Sequence, residues 1–535
     1  MSTGGIFTLI TNDGKQDRML MATELLRARL ARIAKARYVA GLDPTPTLVD
    51  IEKTHVLFMN AHFKPFAAIG YEYNKVRASS GATTLNSTVQ FSIPQFGDFF
   101  HDMVLHVRLN AVTISTPASQ TWRWCAYPGE RLLEKVRFTV NGNPLDEYYS
   151  QDYNFYRQFE LGANKVTGYN RCAGQQELIP AVLDTGLNAA GVTTAPSALG
   201  GATTASRGES TAHLWVHASD GYQTLKTGAG HNNSEAGTGH VATDVLEVTM
   251  PLLFWFNKDP RLSIPSVSIP FGQRFVEVDL TAFGNLAQEV QDITDGSTLS
   301  DGAITAPTVD VCELYVNNIF VNPEVHDIFI KRIGFNLIRV HRRQATRVTS
   351  LSGGEVLLNN FKWPIESIYF GFRDTAQSVA TDNARYLDGW CNFAQSHIAS
   401  ITHGPTGALA TASWITQIPV VNRVTFLAHG IPIYNEIPAV MYNQYFPLVR
   451  GEKLNTPTDL GAYCVMFNLY PGVYQPSGHI NVSRAREFYV KFDNSAANSR
   501  TLGSTDSTDF DLLASANALN FLLISDGSAV LRYST

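Results

Sequence analysis

Charged side chains are scarce in this chain, at 16% of 535 residues against roughly 25% in an average soluble domain. The charges sum to −6, which argues against the basic field of a protein that binds nucleic acid along its length. Direct nucleic-acid binding is not expected. Cysteine is also sparse: Cys125, Cys172, Cys312, Cys391 and Cys464 lie far apart, with no CxxC pair. An odd, scattered set is neither a disulfide framework nor a zinc site, and reads as reduced core thiols of a cytosolic product. There is no N-terminal apolar segment of the signal-peptide kind, and no run approaching the ~18 apolar residues of a membrane span. The sequons at Asn86, Asn232 and Asn481 are therefore expected to be unused.

Catalytic signatures are missing too. A metal-binding cupin needs two histidines one residue apart on a strand, because its ligands must face one barrel interior. None of the fourteen histidines forms an HxH pair. His101 and His106, five apart, are expected on opposite faces of a strand. His213 and His217 could share a face but sit in a Gly-rich stretch, where metal binding is not expected. The chain has no G-x-S-x-G, no GxxxxGK[ST] and no HExxH. Glu130-Arg131 and Asp146-Glu147 are expected to be solvated charges in loops, and Trp122 and Trp124 to pack into a core from one strand face. No catalytic residue, metal ligand or cofactor site is assigned.

What the chain does contain is a repeat. Phe256-Asn-Lys-Asp-Pro-Arg-Leu-Ser-Ile-Pro-Ser-Val-Ser-Ile269 aligns without gaps on Phe467-Asn-Leu-Tyr-Pro-Gly-Val-Tyr-Gln-Pro-Ser-Gly-His-Ile480, with six of fourteen positions identical. Each copy runs on into an alternating segment, Phe275–Leu280 and Phe488–Phe492. An offset of 211 residues is the size of a domain rather than of a solenoid unit, and the paired prolines belong in loops or at strand margins. Duplication of one β domain follows, with Phe256 expected on Phe467 and Pro265 on Pro476.

Along the chain, residues 1–50 form an arm with a helical stretch from Met21 to Arg37, in which Leu26, Leu30 and Ile33 recur at helical spacing. Arg27, Arg29, Arg32, Lys35 and Arg37 surround them, suited either to capping the sandwich or to meeting an acidic partner or membrane surface. From His55 the period becomes two, as in Val89, Phe91, Ile93 and in Leu105, Val107, Leu109, Ala111. One buried and one wet face per strand is the mark of antiparallel sandwich strands. Val136, Phe138 and Val140 lead straight into Asn141-Gly142, a type I′ hairpin signal. Of the 54 residues at 186–239, 33 are Gly, Ala, Ser or Thr, too poor in large apolar groups to make a core. They read as a long insertion in the first domain. Asn322, Pro323 and Glu324 open a linker helix that ends at Lys331 and Arg332. Beyond it Ile333, Phe335 and Leu337 begin the second domain, which carries an insertion at 373–418 and closes with the Asp526-Gly527 hairpin.

Gln475-Pro-Ser-Gly-His-Ile-Asn-Val-Ser-Arg484 resembles a signature of the major capsid proteins of large double-stranded DNA viruses, the African swine fever virus group in particular. Further resemblance runs through Thr54–Pro65, Tyr127–Arg131, Val140–Glu147, Ser263–Gly272 and Asp526–Thr535. It implies an all-β double jelly roll, two eight-stranded antiparallel sandwiches, with an N-terminal arm and long loop insertions. The expected boundaries are 1–50 for the arm, 51–321 and 333–535 for the two jelly rolls, and 322–332 for the linker helix. The implied function is structural: homotrimers forming pseudo-hexagonal blocks that tile an icosahedral shell. Implied partners are the chain itself, neighbouring capsomers, penton and minor capsid proteins, and an inner membrane under the shell. Synthesis in the host cytoplasm, at a virus factory, goes with this. The alternative from another class is a jelly-roll carbohydrate-binding protein or cupin-like enzyme, separable by native mass and metal content.

Overall fold

The computed structural model describes residues 23–45, 47, 69–79, 83–110, 112–114, 120–175, 245–269, 273–292, 304–331, 334–348, 354–374, 390–403, 410–451, 453–484, 487–494, 510–525 and 528–533. Residues 54–65, the insertion at 186–239 with His213, His217 and Asn232, and the Asp526-Gly527 turn lie outside them. The chain divides into two compact units, residues 1–67 and 68–535.

In the first unit, helix α1 spans Thr23–Val39. Gly41 takes φ +71°, and Leu42 donates its N–H back to the Arg37 carbonyl at 2.9 Å. That left-handed glycine cap ends the helix, as the Gly41 and Pro44 pattern leads one to expect.

The second unit is built from sixteen principal strands. The first eight are β1 (Ile69–Arg77), β2 (Thr88–Ser92), β3 (Phe99–Leu109), β4 (Leu133–Val140), β5 (Asn143–Tyr149), β6 (Leu246–Pro251), β7 (Arg274–Leu280) and β8 (Val309–Val321). The next eight are β9 (Gly334–Val348), β10 (Gly354–Leu357), β11 (Pro364–Asp374), β12 (Val421–Ala428), β13 (Ile431–Pro438), β14 (Ala462–Met466), β15 (Phe488–Asn494) and β16 (Phe510–Ser525). The first set pairs as β1-β8-β3-β6 and β2-β7-β4-β5, and the second as β9-β16-β11-β14 and β10-β15-β12-β13. Adding eight to each number of the first set yields the second. All these pairings are antiparallel.

Local chemistry repeats with the topology. Asn141 and Gly142 (φ +52° and +78°) turn β4 into β5, as the type I′ signal predicts, and His429 and Gly430 (φ +55° and +73°) turn β12 into β13. Phe138 and Phe426 hold matching places in the two cores, each opposite the third residue of the neighbouring strand, Val276 or Val490. Phe138 lies 5.3 Å from Phe256, and Phe426 lies 5.5 Å from Phe370. The two proline-rich stretches also follow equivalent strands, β6 and β14. Their second halves are out of step, however. Pro265 itself pairs with Phe99, whereas in the second copy the matching short strand is Ile480–Asn481 on Pro364 and Ile365, beyond Pro476. A few residues more of loop lie between Phe467 and that strand.

Helix α2 (Ser150–Phe155) follows β5 and runs into a wider π-helical turn at Tyr156–Glu160. Its counterpart after β13 is a π-helical turn at Met441–Tyr445, continued by α4 (Phe446–Arg450). Between the sandwiches lies α3 (Pro323–Lys331), with Pro323 at its first position as expected. The region 373–418 begins inside β11 and carries a hairpin, Gln395–His403 paired with Ala410–Ile418.

One strand carries an outward-facing aromatic residue, and one face assignment, on β3, needs correction. Phe335 is 50% exposed while Ile338 and Val340 are buried, so the even positions of β9 face the core. Phe335 instead stacks on Phe521 of β16 at 4.8 Å. On β3, three residues separate the partners of Val316 and Asn318, Met103 and Phe100, where regular pairing would have two. This bulge at His101-Asp102 reverses the alternation, so His101 and His106 lie on the same outward side, not on opposite ones.

Candidate functional site: the joint between the two sandwiches and the N-terminal helix

The joint is organised by α2 and its π-helical continuation. Phe155 stacks on Phe393 of the second sandwich at 5.1 Å with rings 8° from parallel, and Phe159 stacks on Tyr369 of β11 at 5.0 Å. Such pairs contribute roughly 0.5–1.5 kcal/mol each beyond the area they bury. Polar contacts fix the register around them. The Gln158 side-chain oxygen accepts from the Thr458 N–H (2.9 Å) and hydroxyl (3.1 Å), and Asn455 donates its N–H to the Phe159 carbonyl at 2.7 Å. The Asn154 amide donates to the Cys391 carbonyl, and the Trp390 indole to the Ala126 carbonyl at 2.7 Å.

Two carboxylates anchor this surface, and both overturn the expectation of solvated loop charge. Glu130 is fully buried. Its Oε1 accepts from Arg157 Nε at 3.1 Å and from the Tyr169 hydroxyl at 2.9 Å, and the Arg157 guanidinium lies over the Tyr127 ring at 3.6 Å. Burial, with the Glu130 charge in support, pushes the Tyr169 phenol well above its ordinary value. Asp146 lies in β5, not a loop. It accepts from the His341 N–H at 2.9 Å and meets His341 Nδ1 at 3.0 Å. Burial pulls the imidazole pKa down, but contact with Asp146 more than offsets this, and the net shift is upward. Arg131 is buried as well, its guanidinium 5.4 Å from the Trp390 ring centre. A charge so removed from water survives only with partners this close.

A third ionic group sits at the edge of the joint. Glu160 binds Lys258 at 2.7 Å and receives the Tyr369 hydroxyl at 3.3 Å. Burial raises its pKa, but Lys258, with His341 in support, outweighs that and holds the carboxyl below its usual range. The arrangement locks two sandwiches into one block through a desolvated seam of stacked rings, paired charges and shared backbone groups.

A second internal repeat marks this site. Tyr153, Asn154, Tyr156 and Gly162 recur as Tyr442, Asn443, Tyr445 and Gly451 at a constant offset of 289. That alignment would have singled out the stretch from the sequence. What it could not have shown is that Glu130 and Asp146 reach residues 27 and 195 positions away.

The basic residues assigned to the arm are distributed around α1. At 100° per residue, Arg29, Arg32 and Lys35 cover one arc of about 120°, away from Leu30 and Ile33. All three are exposed. Arg37 falls in the apolar sector, and its Nη1 donates to the Thr45 carbonyl at 3.2 Å. Arg27 is in the helix, and its side chain lies outside the described residues. The five therefore do not form one basic face. Among the described residues no group of three or more His, Cys, Asp or Glu side chains could hold a metal ion, and no helix is long and apolar enough to cross a membrane. Trp124 is buried, as expected of a core residue, and so are four cysteines. Cys172 is exposed, against expectation.

Paired eight-stranded sandwiches of one strand order define a double jelly roll of the viral capsid class, and known proteins carry the same architecture. Residues 319–530 match the family described as large eukaryotic DNA virus major capsid protein, and residues 68–322 the family described as major capsid protein N-terminus. The major capsid protein of African swine fever virus (isolate Pig/Kenya/KEN-50/1950) is 32% identical, with 100% of both chains covered. The solved Faustovirus major capsid protein is 33% identical, with a TM-score of 0.71 over 96% of this chain and 100% of that one. A structure titled PBCV-1 virus capsid, quasi-atomic model, shares the fold with a TM-score of 0.58 at 16% identity, covering 90% of this chain and 100% of that one. The chain belongs to the major capsid proteins of large eukaryotic DNA viruses. It is a structural component of the virion shell and self-associates into capsomers.

Proposed function

We propose that the capsomer is a homotrimer whose six jelly rolls form a pseudo-hexagonal block tiling an icosahedral shell, and that the chain catalyses no reaction. The carrying observation is the inter-sandwich joint. Two sandwiches of one topology are held side by side by a desolvated seam, which suits a rigid building block better than two independent binding modules. Interfaces of this permanent kind typically bury ~2,000–5,000 Å². The two jelly rolls meet at α2 and its π-helical continuation. The arm, residues 1–50, serves assembly, with Arg27, Arg29, Arg32, Lys35 and Arg37 suited to acidic minor capsid proteins or the headgroups of an inner membrane. Each near-surface charge would contribute about 1 kcal/mol at an anionic membrane. Penton proteins and neighbouring capsomers complete the contacts, and the chain is made in the host cytoplasm.

Deleting residues 1–40 tests the division of labour. The expected product is a folded trimer that assembles shells poorly. Unfolded or monomeric product would place the arm in the trimer core, and normal shells would show that it has no role in assembly.

A further inference from the structure

The two sandwiches carry the same helical element at the same place, but only one is covered. At the 289-residue offset Phe159 corresponds to Leu448 and Glu160 to Val449. At the 211-residue offset Lys258 corresponds to Leu469. In the first sandwich Phe159 is fully buried beneath Tyr369, and Glu160 and Lys258 form an ion pair. In the second, Leu448 is 75% exposed, Val449 59% and Leu469 66%. The Arg450 guanidinium donates to the Asn468 carbonyl at 2.7 Å, so helix and loop present one continuous patch. Tyr445 and Tyr470, 49% and 60% exposed, extend it. Leaving such a cluster in water is costly, and contiguous exposed apolar area of this kind marks an interaction surface.

We infer that this patch docks on the first sandwich of a second copy of the chain, repeating between subunits the contact that α2 makes within one. The internal joint identifies the receiving surface. Tyr369, which covers Phe159, lies four residues beyond Ile365, just past a bulge in β11. Val104 lies four residues beyond Phe100, just past the corresponding bulge in β3. Val104 pairs with Tyr315 on one side and Pro251 on the other, and all three are half-buried. They form a cross-strand row of apolar groups where the second sandwich has Ser515, Tyr369 and Cys464. Leu448 of one copy would seat on that row of the next. Knob and row are different patches, so the contact is heterologous, and a finite capsomer requires that it close into a ring. Three copies would place six sandwiches in the ring with every helix covered. This inference rests on the trimer proposed above and assigns its interface.

The test uses the full-length chain. Mass photometry should show trimers for the wild type and monomers for Leu448→Asp/Leu469→Asp at the same concentration, with an unchanged circular dichroism spectrum. Trimers persisting in the double variant would overturn the surface assignment while leaving the trimer standing. A monomeric wild type would overturn both. Should the variant misfold, a Val104→Cys/Leu448→Cys pair in a Cys172→Ser background decides the matter. Oxidation should yield covalent trimers on a denaturing gel, and the absence of any intersubunit cross-link would refute the contact.

Discussion

Removing the Asp146 carboxylate should weaken the joint more than any change on the solvent faces of the same strands. Its side chain is fully buried and His341 is 9% exposed, so Asp146→Ala would strand an imidazole and a backbone N–H in a dry seam. Breaking a buried pair from one side costs about 3–5 kcal/mol. For a folding unit of roughly 200 residues that corresponds to a fall in Tm of roughly 6–20 °C. Asp146→Asn keeps an acceptor for the His341 N–H and should lose less. The pH dependence has a definite sign. His341 has a folded-state pKa above its unfolded value, so its contribution is fully present below about pH 6.5 and is lost as pH rises through the folded value. Lys258 opposes that shift, and Asp152 supports it. Glu160 acts in the opposite direction: its folded pKa is lowered, so its contribution is lost only in acid, as pH falls below the carboxylate range. Scanning calorimetry at fixed protein concentration should therefore show the wild-type advantage over Asp146→Asn shrinking from pH 6 towards pH 9. Equal melting of wild type and Asp146→Ala at every pH would refute the reasoning.

Phe159→Ala should destabilise the isolated subunit by about 3–5 kcal/mol, whereas Leu448→Ala at the equivalent position should leave it within about 0.5 kcal/mol. Paired denaturant titrations at concentrations low enough to dissociate the trimer check the contrast. Gly371→Ala should also damage the joint, because a Cβ there would lie 2.4 Å from the Phe393 ring, the ring on which Phe155 stacks. An overpacking cost of about 1–3 kcal/mol should appear in the same titration. Maleimide should label Cys172 in the folded chain and reach Cys125, Cys312, Cys391 and Cys464 only after unfolding, since these four are buried. Mass spectrometry of the labelled peptides reads this directly. Limited proteolysis of assembled particles should cut first within residues 186–239, and protection there with cutting elsewhere would place that segment between subunits.

Much of the architecture was legible because it rests on local rules. Asn141-Gly142 must turn where two positive φ values are required, Pro323 opens α3, and period-two alternation reports one wet face per strand. The duplicated proline-rich stretch located equivalent points in two sandwiches. The joint was not legible for a reason that is equally physical. Glu130 and Asp146 stand beside polar neighbours in sequence, and local context then favours solvated charge. Folding of the first sandwich brings Arg157 and Tyr169 to Glu130, and only the packing of one sandwich on the other brings His341 to Asp146. The bulge in β3 is similarly silent, since nothing in Phe100-His-Asp-Met103 announces an extra residue, yet it reverses the face of every side chain beyond it. The sequence separation of Phe335 from Phe521 likewise hid the stacking that lets an apolar residue face outward.

The central claim is that this chain builds its capsomer from three copies locked by the repeated sandwich contact. Native mass measurement of the purified full-length protein, followed by imaging of the same sample, addresses it most directly. The account predicts a species at three times the 58.8 kDa chain mass, imaged as a six-lobed block with threefold symmetry. A stable monomer or dimer at micromolar concentration, or a trimer whose sandwiches do not form a closed ring, would contradict it.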